Sequence, residues 1–328
     1  MMKTKSAVVL GAGVIGLTTG MRLIEAGWRV TIVAREETPH TTSDVAAAFW
    51  YPYKVESSAR VASWAAVTHR AYANLQERGA PGLRTVPLWL LQRTEQPPLV
   101  LPTGIDGSPV TAAELPVGFA QGRQVDVVRI DTPIFMPWLH ADFLRSGGEV
   151  RRRTVTRVDD LLAESALVVN CSGVGARSVT PDDSVYPIRG QVVRVARPAG
   201  LPHTILVHED DETTTYIVPR QHDCILGGTG EIGNADLTPN AATASAILER
   251  CHALEPRLAG AAVLEDRVGL RPGRREVRLE LEPRPRGAAI LHHYGHGGAG
   301  FTLAWGAADA AVALAENWAM DQAQGNSS

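Results

Sequence analysis

The sequence predicts an α/β fold in which a Rossmann-type nucleotide-binding domain is interleaved with a β-rich substrate-binding domain. Three observations carry this prediction. The apolar run Ala7–Leu10 leads directly into Gly11-Ala12-Gly13-Val14-Ile15-Gly16 and then into helical apolar spacing from Leu17 to Ala26, the order of a βαβ opening. Near the other end, Gly295, Gly297, Gly298 and Gly300 precede an alanine-rich helical pattern from Leu303 to about Ala319. Between them, short β-like runs alternate with single helices, without an internal repeat or a low-complexity linker. The two domains therefore share the chain in pieces rather than in succession.

Taken in order, Ala7–Leu10 suits a buried parallel strand. Gly27 ends the first helix as a C-terminal cap, and Arg29–Ala34 reads as the second strand. From Thr38 to Tyr53 the pattern breaks into Thr41-Thr42-Ser43-Asp44 and the aromatic cluster Phe49–Tyr53. Asp44 suits a turn or cap as well as a site. Helical spacing returns over 61–76, and the proline-rich stretch 81–117 predicts strands and loops. A helix is expected over 134–144, and Arg151-Arg152-Arg153 reads as the solvated start of a strand rather than a basic patch. Leu167–Asn170 is another buried strand, and β-like runs follow at 191–195, 204–207, 216–218 and 224–226. Helix is expected over 241–258, then strands from Arg267 to Leu281 around a turn at Pro272-Gly273.

The 328 residues are 45% hydrophobic with a net charge of −3, enough for a sizeable core and against nucleic acid as a partner. Cys171, Cys224 and Cys251 are too scattered for a metal or disulfide framework, which favours a reducing, cytoplasmic setting. No apolar run has the length of a membrane span, the first strand does not resemble a signal peptide, and the polar tail 322–328 carries no peroxisomal tripeptide. The oligomeric state, a homodimer included, stays open.

The first glycines have separate tasks. Gly11 permits the tight turn, Gly13 admits a pyrophosphate to the backbone, and Gly16 lets helix and strand pack closely. The Gly295–Thr302 segment, also at a helix start, suits a second anionic site, so one extended ligand held at both ends is expected. Glu36 or Glu37 would hold ribose hydroxyls. Arg35 before them suits either a 2′-phosphate or a stem covering the adenine. His292, His293 and His296 lack metal spacing and an evident carboxylate partner, so packing roles are expected. Cys171 reads as a small buried residue.

The motifs Gly11–Gly16, Thr41–Tyr53, Val168–Gly175, Pro187–Val192, Tyr216–Pro219, Leu226–Thr229, Val268–Glu280 and His293–Gly306 occur in one order across nearly the whole chain. In these the chain resembles the D-amino-acid oxidases, flavoproteins related to D-aspartate oxidase and glycine oxidase. The resemblance implies an FAD-binding domain from 1–53, 134–186 and 269–328, and a substrate-binding domain from 54–133 and 187–268. It implies FAD as cofactor, and a D-amino acid and dioxygen as partners. Arg271 and Tyr216 would hold the substrate carboxylate, a task suited to a guanidinium fork. The Gly298 carbonyl would take the amine, and Thr302 would lie near the flavin's pyrimidine edge, with the helix dipole behind it. Further FAD contacts would come from Arg35, Glu36, Thr41, Thr42, Ser43, Ala47, Ala48, Val155, Cys171, Ser172, Gly173 and Arg278, and from Gly295, Gly297, Gly300 and Phe301.

The implied reaction passes the Cα hydrogen as hydride to flavin N5 and needs no acid–base residue. Phe49, Tyr51 and Tyr53 would form a pocket for neutral, apolar or bulky side chains. Two departures affect specificity. The segment 208–215 is shorter than in mammalian members, acidic and without a lid tyrosine, and Tyr51 replaces a glutamine. The alternatives are a D-aspartate or glycine/sarcosine oxidase, a NADP-dependent dehydrogenase, and a flavin-binding protein without turnover.

Overall fold

Two sheets organise the chain. The computed structural model describes residues 5–53, 55–95, 106–201, 204–208 and 213–325. In order these form β1 (Ser6–Leu10), α1 (Val14–Glu25), β2 (Arg29–Ala34), α2 (Thr42–Val45), α3 (Ala59–Glu77), β3 (Leu83–Gln92), β4 (Gly107–Pro109), β5 (Gln121–Ile130), α4 (Thr132–Arg145), β6 (Glu149–Arg152) and β7 (Leu167–Asn170). There follow α5 (Ala176–Val179), β8 (Tyr186–Ala196), β9 (Thr204–His208), β10 (Thr213–Pro219), β11 (Asp223–Thr229), β12 (Glu231–Ile232), α6 (Ala241–Leu254), β13 (Val263–Gly273), β14 (Arg278–Arg284), β15 (Ala288–Tyr294) and α7 (Gly300–Gly325).

The first sheet has the order β14-β15-β7-β1-β2-β6, parallel except for the β14–β15 pair. Its inner strands are mostly apolar because both faces are covered. Ala7 and Val9 face a core shared with Leu17 of α1 and Ala304, Ala307, Ala311 and Ala315 of α7. Val8 and Leu10 face the other way, onto Val158 and Leu161. The small alanines let α7 lie close against α1. Gly27, at φ +81°, ends α1.

The second sheet has nine strands in the order β12-β8-β11-β10-β9-β3-β5-β4, with β13 on the other side of β8. On one face α6 packs Ile247, Cys251 and Leu254 against Val193, Ile217 and Leu226. On the opposite face Leu88, Val127, Val192 and Tyr216 pack with Phe49 and Tyr51.

Some expectations shift. The strand read from Arg267 does not turn at Pro272-Gly273: both remain in β13, opposite Pro187 and Tyr186, and the turn comes at 274–277. On β13 the side away from β8 has no partner strand, so a proline costs no ladder bond. The expected domain boundary at 268/269 therefore falls inside β13. Helix α3, expected in the substrate-binding part, instead packs Trp64 and Tyr72 into the core around α1 and α7. Arg151 and Arg152 end β6 rather than start a strand, with Arg153 just beyond, and all three pair with glutamates at the surface. The acidic segment 209–212, whose role as lid or steering element was open, lies outside the described residues. No helix among the described residues is long and apolar enough to cross a membrane.

Candidate active site

A cavity of 800 Å³ is bounded by both sheets and lies at the C-terminal ends of β1, β2, β7 and β15. That is where open α/β sheets place their ligands. At one end Gly11 (φ +113°) turns β1 into α1, and a Cβ there would lie 2.5 Å from the Cys171 carbonyl oxygen. A Cβ on Gly16 would lie 1.9 Å from the Gly11 oxygen, so Gly16 is a packing residue and does not itself line the cavity. Ala12, Gly13, Val14 and Ile15 do. The first intrahelical bond is Leu17 N–H to Gly13 O, and the first turn holds no acidic residue. Earlier N–H groups have no acceptor within the helix. The Val14 N–H donates to Ser43 Oγ at 2.9 Å.

Arg35, Glu36, Val155, Cys171, Ser172 and Gly173 line the same end, with Thr41, Thr42, Ala47 and Ala48 along the wall. Arg152 donates to the Arg35 carbonyl at 3.1 Å and to the Glu36 carboxylate at 3.0 Å. Asp44 is a cap residue. Its buried carboxylate accepts from the Thr41 N–H at 2.9 Å and the Thr41 hydroxyl at 2.6 Å. Burial pushes the Cys171 thiol up to about 12, so it is no nucleophile at neutral pH.

At the other end the glycine run meets β13. The Gly297 N–H donates to the Pro272 carbonyl at 2.9 Å, which ties the loop to the residue after Arg271. Gly298 lies against Tyr53, since a Cβ there would be 2.5 Å from the Tyr53 ring. Thr302 clips α7 to the aromatic segment: its hydroxyl accepts from the Tyr51 N–H at 3.1 Å and donates to the Tyr51 carbonyl at 2.8 Å. Its side chain is thus engaged within the protein, leaving backbone N–H groups at the start of α7 for a ligand. Phe49, Tyr51, Tyr53, Gly300 and Phe301 complete this end.

Arg271 reaches across Gly190, where a Cβ would lie 2.2 Å from its Nη1, and donates from Nη1 to the Thr229 carbonyl at 2.9 Å. Its guanidinium lies 5.6 Å from the Tyr53 ring centre, and Tyr53 shares a 3.1 Å hydrogen bond with Thr214. Tyr216 lies alongside. Burial raises its hydroxyl to about 12, and the neighbouring Arg271 charge opposes that rise. Gly227 and Gly228 make room for the tyrosine ring, which a Cβ on Gly227 would meet at 2.0 Å. Among the described residues no carboxylate pairs with Arg271. Its neighbours differ: Arg267 pairs with Glu265, and Arg274 and Arg278 with Asp182.

Gly295 and Arg278 do not line the cavity. Gly295, at φ +88°, shapes the loop. Arg278 stands behind it and donates to the Tyr294 hydroxyl at 2.6 Å, which donates in turn to Asp182 at 2.9 Å. Desolvation raises the Asp182 carboxyl, but hydrogen bonds from Ser184 and Tyr294 and the Arg274 charge outweigh it and hold the group at about 2. Asp182→Asn is therefore expected to cost roughly 2 kcal/mol at pH 7. The depressed carboxyl stabilises the fold above its unfolded value of about 4, and the gain fades as pH falls through about 2. Chemical denaturation of both proteins at pH 7 and near pH 2 measures this, and the two curves should converge in acid.

The histidines are buried. His292 does have a carboxylate partner, Glu282 at 2.7 Å, which lies across the β14–β15 pair where sequence spacing cannot reveal it. His293 and His296 stack edge to face at 5.0 Å, and burial lowers both, His296 to about 3. Among the residues that escaped sequence reasoning as site residues are Gly190, Thr214, Leu206 and Leu237, which line the cavity, and Thr229, whose carbonyl holds Arg271. Gly190 and Thr229 fall within recognisable motifs, but their tasks depend on cross-strand placement.

The comparisons agree with this geometry. The family model described as FAD dependent oxidoreductase matches residues 6–314. The D-amino-acid oxidase of Rubrobacter xylanophilus is 46% identical over 311 residues, covering 94% of this chain and 95% of that protein. The D-aspartate oxidase of Homo sapiens is 35% identical, covering 95% of each. Among solved structures, glycine oxidase from Geobacillus kaustophilus superposes with a TM-score of 0.81 at 21% identity, covering 96% of this chain and 95% of that one, a likeness of fold. The chain belongs to the FAD-dependent oxidoreductase family. Its cavity fits that cofactor: 800 Å³ is ample for a large ligand, and a glycine-rich helix start free of acidic side chains stands at each end.

Proposed function

We propose that this protein is an FAD-dependent D-amino-acid oxidase, converting D-amino acids and dioxygen to 2-oxo acids, ammonia and hydrogen peroxide. The observation that carries the reading is Arg271, a cation lining the cavity beside Tyr216 that pairs with no carboxylate among the described residues. The oxidases among the relatives support it.

FAD would be held by Gly11–Ile15, Ser43, Cys171–Gly173 and the start of α7, with Glu36 at the ribose end. Bound there, it supplies the two-electron acceptor for the substrate's Cα hydrogen and the route of those electrons to dioxygen. The chain's own work is positioning. One Arg271 N–H is held by Thr229, which fixes the plane of the fork, and the others hold the substrate carboxylate. The Tyr216 hydroxyl, protonated throughout the physiological range, donates to the same group. The Gly298 carbonyl accepts an N–H of the amine. Carboxylate, amine and side chain are then each assigned a place, so exchanging enantiomers swaps the Cα hydrogen with one of them, and the site reads configuration. No residue needs to remove a proton from Cα.

Phe49, Tyr51, Tyr53 and Leu206 line the cavity and favour apolar side chains. A D-aspartate preference would need a second cation near Arg271. Among the described residues the other lining arginines are Arg35 and Arg153, beside β2. The three cysteines are free and buried, which supports a cytoplasmic setting. Peroxide release from a panel of D- and L-amino acids tests the proposal. A yellow protein that releases peroxide with D-amino acids only is expected. Turnover of L-amino acids, or of none, would refute it.

A further inference from the structure

We infer that Leu237 is a specificity-determining residue that meets the side chain of large apolar substrates at the mouth of the cavity. The inference rests on the oxidase reading. After β12 the chain leaves the edge of the large sheet, with Gly233 (φ +81°) donating its N–H to the Pro187 carbonyl at 2.8 Å. Buried Arg189 then pins the segment. Its Nε donates to the Asp236 carbonyl at 2.8 Å, its Nη2 to the Thr238 carbonyl at 2.7 Å and its Nη1 to the Glu231 carboxylate at 2.7 Å. Gln191, fully buried, closes the far end by exchanging two hydrogen bonds with the Asn240 backbone, at 2.8 and 2.9 Å.

Leu237 sits between the two carbonyls that Arg189 holds, so its backbone is fastened to β8. The next residue of β8 is Gly190, the one over which the Arg271 guanidinium lies. Leu237 joins the lining of the cavity that Gly190 and Arg271 also line, while remaining 59% exposed. A single exposed leucine on a surface is ordinary. This one stands on a hydrogen-bonded segment and lines the same cavity as Arg271 and Tyr216. An apolar side chain lying across it removes water from both partners, and little order has to be created in the segment to do so. Small side chains do not extend that far, so the leucine discriminates by reach.

Leu237→Ser in the holoenzyme tests this. The ratio of kcat/KM for D-phenylalanine to that for D-alanine should fall about tenfold, the low end for one apolar group in a pocket, carried by KM. Leu237→Met should restore the ratio, and flavin absorbance per protein confirms that each variant is folded and loaded. A ratio within twofold of the wild type in Leu237→Ser would overturn the inference and leave the oxidase reading intact. A wild-type enzyme that turns over no D-amino acid would sink the oxidase reading itself, and the inference with it.

Discussion

Arg271→Leu should retain FAD and lose most turnover, with kcat/KM for D-amino acids falling roughly 10²- to 10³-fold. Truncating one partner of a desolvated, charge-assisted pair costs about 2–5 kcal/mol, and each 1.4 kcal/mol is a factor of ten. The variant is expected to fold, because among the described residues Arg271 pairs with no carboxylate and gives up its bond to the Thr229 carbonyl and its contacts with the Tyr53 and Tyr216 side chains. Steady-state kinetics beside the flavin-to-protein absorbance ratio checks both parts. Turnover within threefold of the wild type at full FAD content would remove Arg271 from the substrate's carboxylate.

The second large effect is expected at the opposite end of the cavity. Gly16→Ala places a methyl where the Gly11 oxygen already stands 1.9 Å away. The obstacle is backbone and cannot rotate aside, so α1 has to move off β1 and the Gly11–Ile15 turn has to deform. Overpacking of this kind costs roughly 1–3 kcal/mol, and here it falls on the wall that receives the cofactor. The purified variant should be largely colourless and should melt below the wild type. A fully yellow protein with an unchanged melting temperature would show that the turn tolerates the shift and that close packing at Gly16 is not what holds it.

The sequence made the local parts of this fold readable. Ala7–Leu10, Arg29–Ala34 and Leu167–Asn170 are contiguous apolar or near-apolar runs, and they appear as strands within a residue of where they were expected, because burial on both faces writes itself into consecutive residues. What depends on pairing across the chain was hidden. Pro272-Gly273 has the composition of a turn, yet lies in β13 because that edge needs no proline N–H. Helical spacing over 61–76 announced α3 but not the layer it would join.

Arg271 stood in an arginine-rich segment, and only the resemblance to the oxidases singled it out. The structure adds a physical distinction. Arg274 and Arg278 are paired with Asp182, about ninety residues earlier in the chain, whereas Arg271 is not. Thr302 shows the same limit in reverse. Its place beside the cavity was readable, but the use of its hydroxyl on Tyr51, 251 residues away, was not. Leu237 gave no signal, since its position depends on the buried side chain of Arg189.

The central claim is that Arg271, Tyr216 and the Gly298 carbonyl orient one enantiomer of an amino acid for loss of its Cα hydrogen to bound FAD. Anaerobic mixing of the yellow protein with matched D- and L-amino acids, followed by flavin absorbance, tests it most directly. The D-enantiomers should bleach the flavin at once, the L-enantiomers should leave it yellow, and admitting air should restore the colour with release of peroxide. Bleaching by both enantiomers alike, or by neither, would contradict the account.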